Sequence, residues 1–561
     1  MMKNFFRRTL IISIVLAGFS ACTSVAKSHY SDVSRNRSIS VITSKKQVPV
    51  LTGKDENLIF QIKIQAKESG KDYIIKEIEI SLEGTTDLND IEAVKLYYTG
   101  KAKDDKTNRQ FGKSNLAAPE INFTDNFILK DEVAYFSLSV KLKSKIDLTH
   151  RIDVSCKQIE TNVGKILPDH EVPSHPLRVG VAMRQHGDDS VDTYRIPGLT
   201  TTTNGTMLAI YDVRRDSKRD LQGDIDIGLS RSTDGGISWE PMQIAMDRGK
   251  WGGLPQKFNG ISDGCILVND QNNDIFIAGL WMHGVLDSTG KWIEGLNDSS
   301  SNWEHQWRGK GSQPGFEEKE TCQFLITKST DDGRNWSEPV NLTRMYKQED
   351  WWLWAPAPGH GITLNDGTLV FPTQGRDAAG KSFSNITSSK DGGKTWKTSN
   401  YASSGTTENM IVQLGDGSIM LNARDGKNKG NSSSTNGRVI NTSMDMGKNW
   451  TVHPTSHGVL IEPACMASLH KHVYTENGEK KSILLFSNPN SKSGRNHMTI
   501  KVSFDDGASW PEKNWILLDE GSGRGYSCLT SIDEKAIGIL YEGSKADMIF
   551  QKITLSELIG K

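Results

Sequence analysis

A hydrophobic run long enough to span a bilayer is lacking at the N-terminus of this 561-residue sequence: Leu10 to Ala17 is apolar but too short for a transmembrane helix. An excess of one charge is also lacking. Lys plus Arg number 67 against 68 Asp plus Glu, which removes the electrostatic case for a nucleic-acid or membrane-surface partner. Cysteine is sparse. The six, at 22, 156, 265, 322, 465 and 528, have no metal-ligand spacing and read as buried small hydrophobes rather than a disulfide framework. No His/Cys/Asp cluster calls for a metal, and no cofactor is expected.

Glycine and tryptophan are plentiful. Fifty-two glycines and 14 tryptophans with 36% hydrophobic residues suit a turn-rich, all-β chain. The length predicts more than one domain. Residues 1–26 read as an export signal, with Arg7-Arg8 ahead of the apolar run. Phe19-Ser-Ala-Cys22 resembles a lipobox that would place a lipid anchor on Cys22, while Ser24-Val-Ala26 fits ordinary signal-peptidase cleavage. Either route predicts an exported protein, periplasmic or held at the outer membrane or cell surface.

Residues 27–176 alternate apolar and polar side chains in short runs such as NLIFQIKIQA and VAYFSLSVKLK. That period of two predicts a β-sandwich, carbohydrate-binding or a spacer, ending in a linker at Pro173-Ser-His-Pro176. From 177 to 561 a pattern S-x-D-x-G-x-x-W occurs five times, beginning at Ser232, Ser329, Ser389, Ser443 and Ser503. Asp can accept bonds from its own turn, Gly supplies positive φ and Trp packs beneath. Six turn clusters, at Asn204-Gly205, Asn269 to Asp274, Asn365-Asp-Gly367, Gly415-Asp-Gly417, Asn477-Gly478 and Asp533 to Lys535, mark six hairpins. The expectation is a six-bladed β-propeller with a long loop at 281–320.

Antiparallel partners sum to twice the turn centre. About 204.5 Arg195 faces Arg214, about 416 Glu408 faces Arg424, and about 534 Tyr526 faces Glu542. Pro197 should also hold Ile196 extended. All six paired residues lie at the open ends of their hairpins, hence on one face of a propeller. Loops carrying Asp220, Arg495 and the tryptophans Trp281, Trp292, Trp303 and Trp307 are expected on that face. Arginines, carboxylates, a tyrosine and aromatic walls suit an anionic, partly apolar small molecule such as a sugar acid. Singly, each has a plainer reading: a surface ion pair for Glu408 and Arg424, a strand aromatic for Tyr526, a turn residue for Asp263, with Asp216 a rival to Asp220.

Together, Tyr194-Arg-Ile-Pro, the five Asp-boxes, Thr407-Glu-Asn with Leu421-Asn-Ala-Arg424, Gly494-Arg-Asn, Gly525-Tyr-Ser and Tyr541-Glu-Gly resemble the bacterial exo-α-sialidases (neuraminidases) over roughly residues 178–561. The N-terminal region is similar to the sandwich that precedes the propeller in sialidases of Bacteroides-type bacteria. The resemblance implies a retaining glycoside hydrolase acting on sialylated glycans as a monomer. It implies Arg195, Arg424 and Arg495 on the substrate carboxylate, braced by Glu542; Tyr526 as nucleophile; Glu408 as its base; and Asp220 as acid/base. Arg214, Asp263, Met282 and Gln374 would line the pocket, and Ala357-Pro-Gly-His-Gly361 its rim. Transfer to another sugar, intramolecular release of an anhydro product, or a propeller that binds glycans without cleaving them remain the alternatives.

Overall fold

The structure, a computed structural model, describes residues 38–560 except 69–70, 102–108, 114–117, 131, 170–174, 222, 252–255, 257–258, 284–311 and 319. The export signal, Cys22, Pro173, Ser174, Trp292, Trp303 and Trp307 lie outside the described residues.

The alternating N-terminal segments form two facing antiparallel sheets, of five and four strands. Alternate residues of Asn57–Ala66 and Tyr73–Ser81, among them Ile62, Ile64, Ile78 and Ile80, meet between the sheets and are buried. The rest is the six-bladed propeller. Its inner strands include Thr193–Thr201, Asn259–Val268, Thr406–Gln413, Ser468–Glu476 and Ser527–Asp533, with Leu353–Pro356 and Ile362–Thr363 sharing the third blade. Leu177–Arg184 is the outermost strand of the sixth blade and pairs with Met548–Thr554, so the ends of the propeller chain close the ring.

The closing strand also joins the two units. Val50–Thr52, from the sandwich segment, pairs with it in parallel, and Glu557 of the sixth blade takes bonds from both Arg151 and Arg178. The described cysteines are free thiols, four of them buried.

Each Asp-box is a capped turn. The Ser hydroxyl accepts the Gly N–H at 2.8–3.0 Å, and the Asp carboxylate accepts the N–H four residues on. In the first box Gly236 sits at φ +89°, and a Cβ there would lie 2.0 Å from the Phe550 ring. Trp239 packs edge-on against the same ring. The boxes hold blades together and lie at the periphery, away from the residues described next.

Candidate active site

Pairing around three turns brings the site residues to the open ends, with one change of register. Tyr526 and Glu542 are cross-strand neighbours, the Glu542 N–H donating to the Tyr526 carbonyl at 2.9 Å. Glu408 and Arg424 meet as expected, but through a bulge: Thr407 and Glu408 together stand opposite Arg424. Arg195 does not face Arg214. It pairs with Asp212, and Thr193 takes the place opposite Arg214. The turn is centred on Asn204, with Thr202 facing Thr206, one residue wider than an Asn204-Gly205 turn, and Ile196 and Pro197 together oppose Tyr211. Ile196 is not extended either. Its φ is +58°, a costly conformation for a β-branched residue. Its N–H donates to Glu542 at 3.0 Å and its side chain is buried beside Tyr526, and these contacts hold it there.

A third bulge lies in the second blade, where Asp263 and Gly264 face Gly279 and Asp263 has φ +56°. Bulges turn a side chain away from the regular pleat. Here they occur at the arginine, the aspartate and the glutamate of three inner strands. Pro197 and Gly264 are the sequence signals that could have revealed two of them; Thr407-Glu408 has none.

Tyr526 is the centre of the arrangement. Its hydroxyl donates a short bond to Glu408, and Arg424 donates to Glu408 at 2.6 Å and to the Tyr526 oxygen at 3.2 Å. The guanidinium carbons of Arg195 and Arg495 stand 5.3 and 5.5 Å from the ring centroid. Burial first, then the Glu408 carboxylate, push the phenol well above its ordinary range, with Arg424 and Arg495 pulling the other way. Tyr526 is therefore a neutral phenol at neutral pH.

Glu542, with a side chain 1% exposed, accepts from Arg195 Nε and from the N–H groups of Ile196 and Tyr526, both at 3.0 Å. Burial alone would raise its carboxyl. Arg195 and these bonds outweigh burial and hold it below the usual value. Arg495 is placed by its neighbour, donating to the Arg524 carbonyl at 2.8 Å.

Arg214 is fully buried, bonded to Asp212 at 2.9 Å and to Asp220 at 2.6 Å. Asp220, rather than Asp216, takes this bond, and its side chain is 64% exposed. Asp212 was not anticipated; it also accepts from Ser262 at 2.6 Å, and burial outweighs Arg214 to push it up to about 6. Asp263 is half-buried. Burial, then Asp220, Glu408 and Asp212, raise its carboxyl well above the ordinary range, against the pull of Arg214. These four carboxylates thus share one electrostatic neighbourhood.

Gln374 donates to the Pro356 carbonyl at 3.2 Å, and Asn409, next to Glu408, donates to the adjacent Thr373 carbonyl at 2.8 Å. Two expected pocket contacts are instead core. Met282 is 1% exposed and packs on Leu221, Leu280, Cys322 and Ala355, so it supports the loop bearing Asp220 from behind. Trp281 is buried against Trp251. His360 does not lie at the rim; it lines a cavity near the turn ends of the inner strands, beside His470. The one metal-like group among the described residues, Asp87, Asp90 and His150, belongs to the sandwich region.

Comparison with known proteins bears on the family and the fold. Residues 38–165 match the N-terminal domain of BNR-repeat neuraminidase, and 196–513 match the BNR repeat-like domain. A sialidase of Bacteroides fragilis is 37% identical over 92% of this chain and 95% of its own length. A sialidase of Paraclostridium sordellii is 30% identical over 66% of this chain and 86% of its own. Among solved structures, the Hadza microbial sialidase Hz136 superposes with a TM-score of 0.80 at 34% identity, covering 92% of this chain and 99% of that one. A tyrosine bonded to a glutamate among three arginines, on a six-bladed propeller behind a sandwich, therefore has its context: this chain belongs to the BNR-repeat sialidase (neuraminidase) family of glycoside hydrolases.

Proposed function

We propose that the chain is a retaining exo-α-sialidase that releases terminal sialic acid through a glycosyl-tyrosine intermediate. The observation that carries this reading is the bond from the Tyr526 hydroxyl to Glu408 inside the ring of Arg195, Arg424 and Arg495.

The three guanidinium groups take the substrate carboxylate by charge-assisted bonds, for which arginine's planar fork is suited. Glu542 fixes Arg195 before substrate arrives. The anomeric carbon bears that carboxylate, so an Asp or Glu nucleophile would approach against like charge, whereas a neutral phenol does not. Tyr526 Oη attacks the anomeric carbon as its proton passes to Glu408, and the bond to the leaving oxygen breaks as Asp220 protonates it. Asp220 then takes a proton from water, whose oxygen attacks the same carbon. The C–O bond to Tyr526 breaks and the phenol recovers its proton from Glu408. Two inversions give net retention. Arg214 keeps Asp220 at the mouth, and the half-buried Asp263 and Gln374 line the pocket.

The sequence pattern supports export by residues 1–26, with Cys22 as lipid anchor. The two family matches support a division into a sandwich over 27–176 and a catalytic propeller over 177–561; we read the chain as acting as a monomer. Proton NMR of the first product formed from α2,3-sialyllactose tests the chemistry. The α-anomer of free sialic acid is expected. The β-anomer, an anhydro product, or no turnover would overturn the reading.

A further inference from the structure

A cavity of about 530 Å3 opens beside the arginine cluster, where the sandwich segment meets the first and sixth blades. Lys54 enters its lining from the sandwich side, with Gln185 and His186 after the closing strand, and Arg524 and Lys545 from the sixth blade. Glu542 forms part of its wall, so the cavity and the carboxylate grip share a partition. Its volume is ample for one sugar residue.

Three cations line this space, and among the described residues none is in an ion pair. Lys54 Nζ donates to the neutral Gln185 Oε1 at 3.0 Å and to the Lys545 carbonyl at 2.9 Å. Lys545 Nζ reaches the Leu58 carbonyl at 3.4 Å. The Arg524 side chain bonds to no described residue. Of the lining carboxylates, Glu542 is engaged by Arg195, and Asp547 accepts the Tyr194 N–H at 3.1 Å.

The electrostatics differ from those of the neighbouring grip. Glu542 and Glu408 strengthen the hold of Arg195 and Arg424 on their protons. In the cavity the hold is loosened. Burial weakens Lys54 against the attraction of Asp188. Burial, then repulsion from Lys46 and Lys54, weakens Lys545 against the attraction of Asp519. Burial, then Arg195 and Arg214, weakens Arg524 against Glu542 and Asp547. Carboxylates attract these cations from a distance, but none of the described ones pairs with them directly, and half-buried cations outside ion pairs cost stability unless an anion joins them.

We propose that this cavity binds an anionic substituent on the sugar that leaves, so that the enzyme favours substrates with a second negative charge beside the terminal residue. The chemistry required is a carboxylate, as on a penultimate acidic sugar, or a sulfate ester. Lys54 makes the sandwich part of substrate recognition. Arg524 couples the cavity to the grip, because its carbonyl holds Arg495. The inference rests on the sialidase reading and adds a second subsite to it.

The test is kcat/KM of the full chain on α2,3-sialyllactose, on its sulfated form, and on α2,8-disialyllactose, for the wild type, Lys54→Gln and Lys545→Gln. Each variant is expected to lose about tenfold on one or both dianionic substrates, the size of one charge-assisted contact, and less than about twofold on sialyllactose. The substrate that loses identifies carboxylate or sulfate. Equal losses on all three substrates, or no loss on either dianion, would overturn the subsite. No turnover of any sialoside by the wild type would fail the sialidase reading itself, and the subsite with it.

Discussion

Glu542→Gln tests the arginine cluster most directly, because it preserves shape and removes charge. The native carboxylate serves Arg195 Nε and two backbone N–H groups. In the amide, one oxygen can still accept from Arg195 and Ile196, but its NH2 must face the Tyr526 N–H, donor against donor. Breaking a buried ion pair by neutralising one partner costs about 3–5 kcal/mol. Arg195 retains 11% exposure of its side chain, which favours the lower figure. With an unfolding entropy of ~2.1 cal/mol/K per residue over roughly 380 propeller residues, ~3 kcal/mol lowers Tm by about 4 °C. Calorimetry of the full chain at pH 7 reads this directly. The sign with pH is also set. Glu542 titrates below its ordinary 4.5 in the folded protein, so its stabilisation is complete above that pH and is lost as pH falls through the depressed value. The gap between wild type and variant should therefore stay constant from pH 7 to about 5 and close in acid. Equal Tm values at pH 7, or a gap that persists undiminished at pH 3, would refute the argument.

Tyr526→Phe should fold as the wild type does, since the ring keeps both guanidinium contacts, and should lose kcat by about a hundredfold or more with the proton relay gone. Full activity in a steady-state assay would remove Tyr526 from the chemistry. Asp220→Ala should lose kcat by about a hundredfold or more on sialyllactose yet turn over an aryl sialoside with an acidic leaving group far better, because that group departs without protonation; equal losses on the two substrates would argue against a general acid. Ser329→Ala leaves the buried Gly333 N–H of an Asp-box without its acceptor and should cost about 1–2 kcal/mol by thermal denaturation, with kcat/KM unchanged. A change in kcat/KM at constant Tm would overturn the purely architectural role of the boxes.

Local patterns alone were enough for the repeats, the six hairpins and the pairing of Tyr526 with Glu542. A turn's position fixes which residues face each other as long as the ladder is regular, and the ladder of the sixth blade is regular where it bears the tyrosine. The same arithmetic failed at Arg195, where a turn centred on Asn204 and one extra residue in the strand together displaced Arg214 in favour of Asp212. Such a bulge depends on contacts remote in sequence: Glu542 holds the Ile196 N–H from 346 residues away. Burial was hidden for a related reason. Met282 and Trp281 look like wall residues in a line of sequence, but whether a strand end points to core or pocket is decided by the blade next to it. The basic cavity at Lys54 was not legible at all, since it exists only where the sandwich segment meets the propeller's closing strand. Local sequence patterns suffice for the repeat, the blade count and the arginines, carboxylates and tyrosine that reach the open face. Their aim, their protonation and their company were decided by tertiary packing, because bulges, burial and charge proximity are properties of chain segments brought together from far apart.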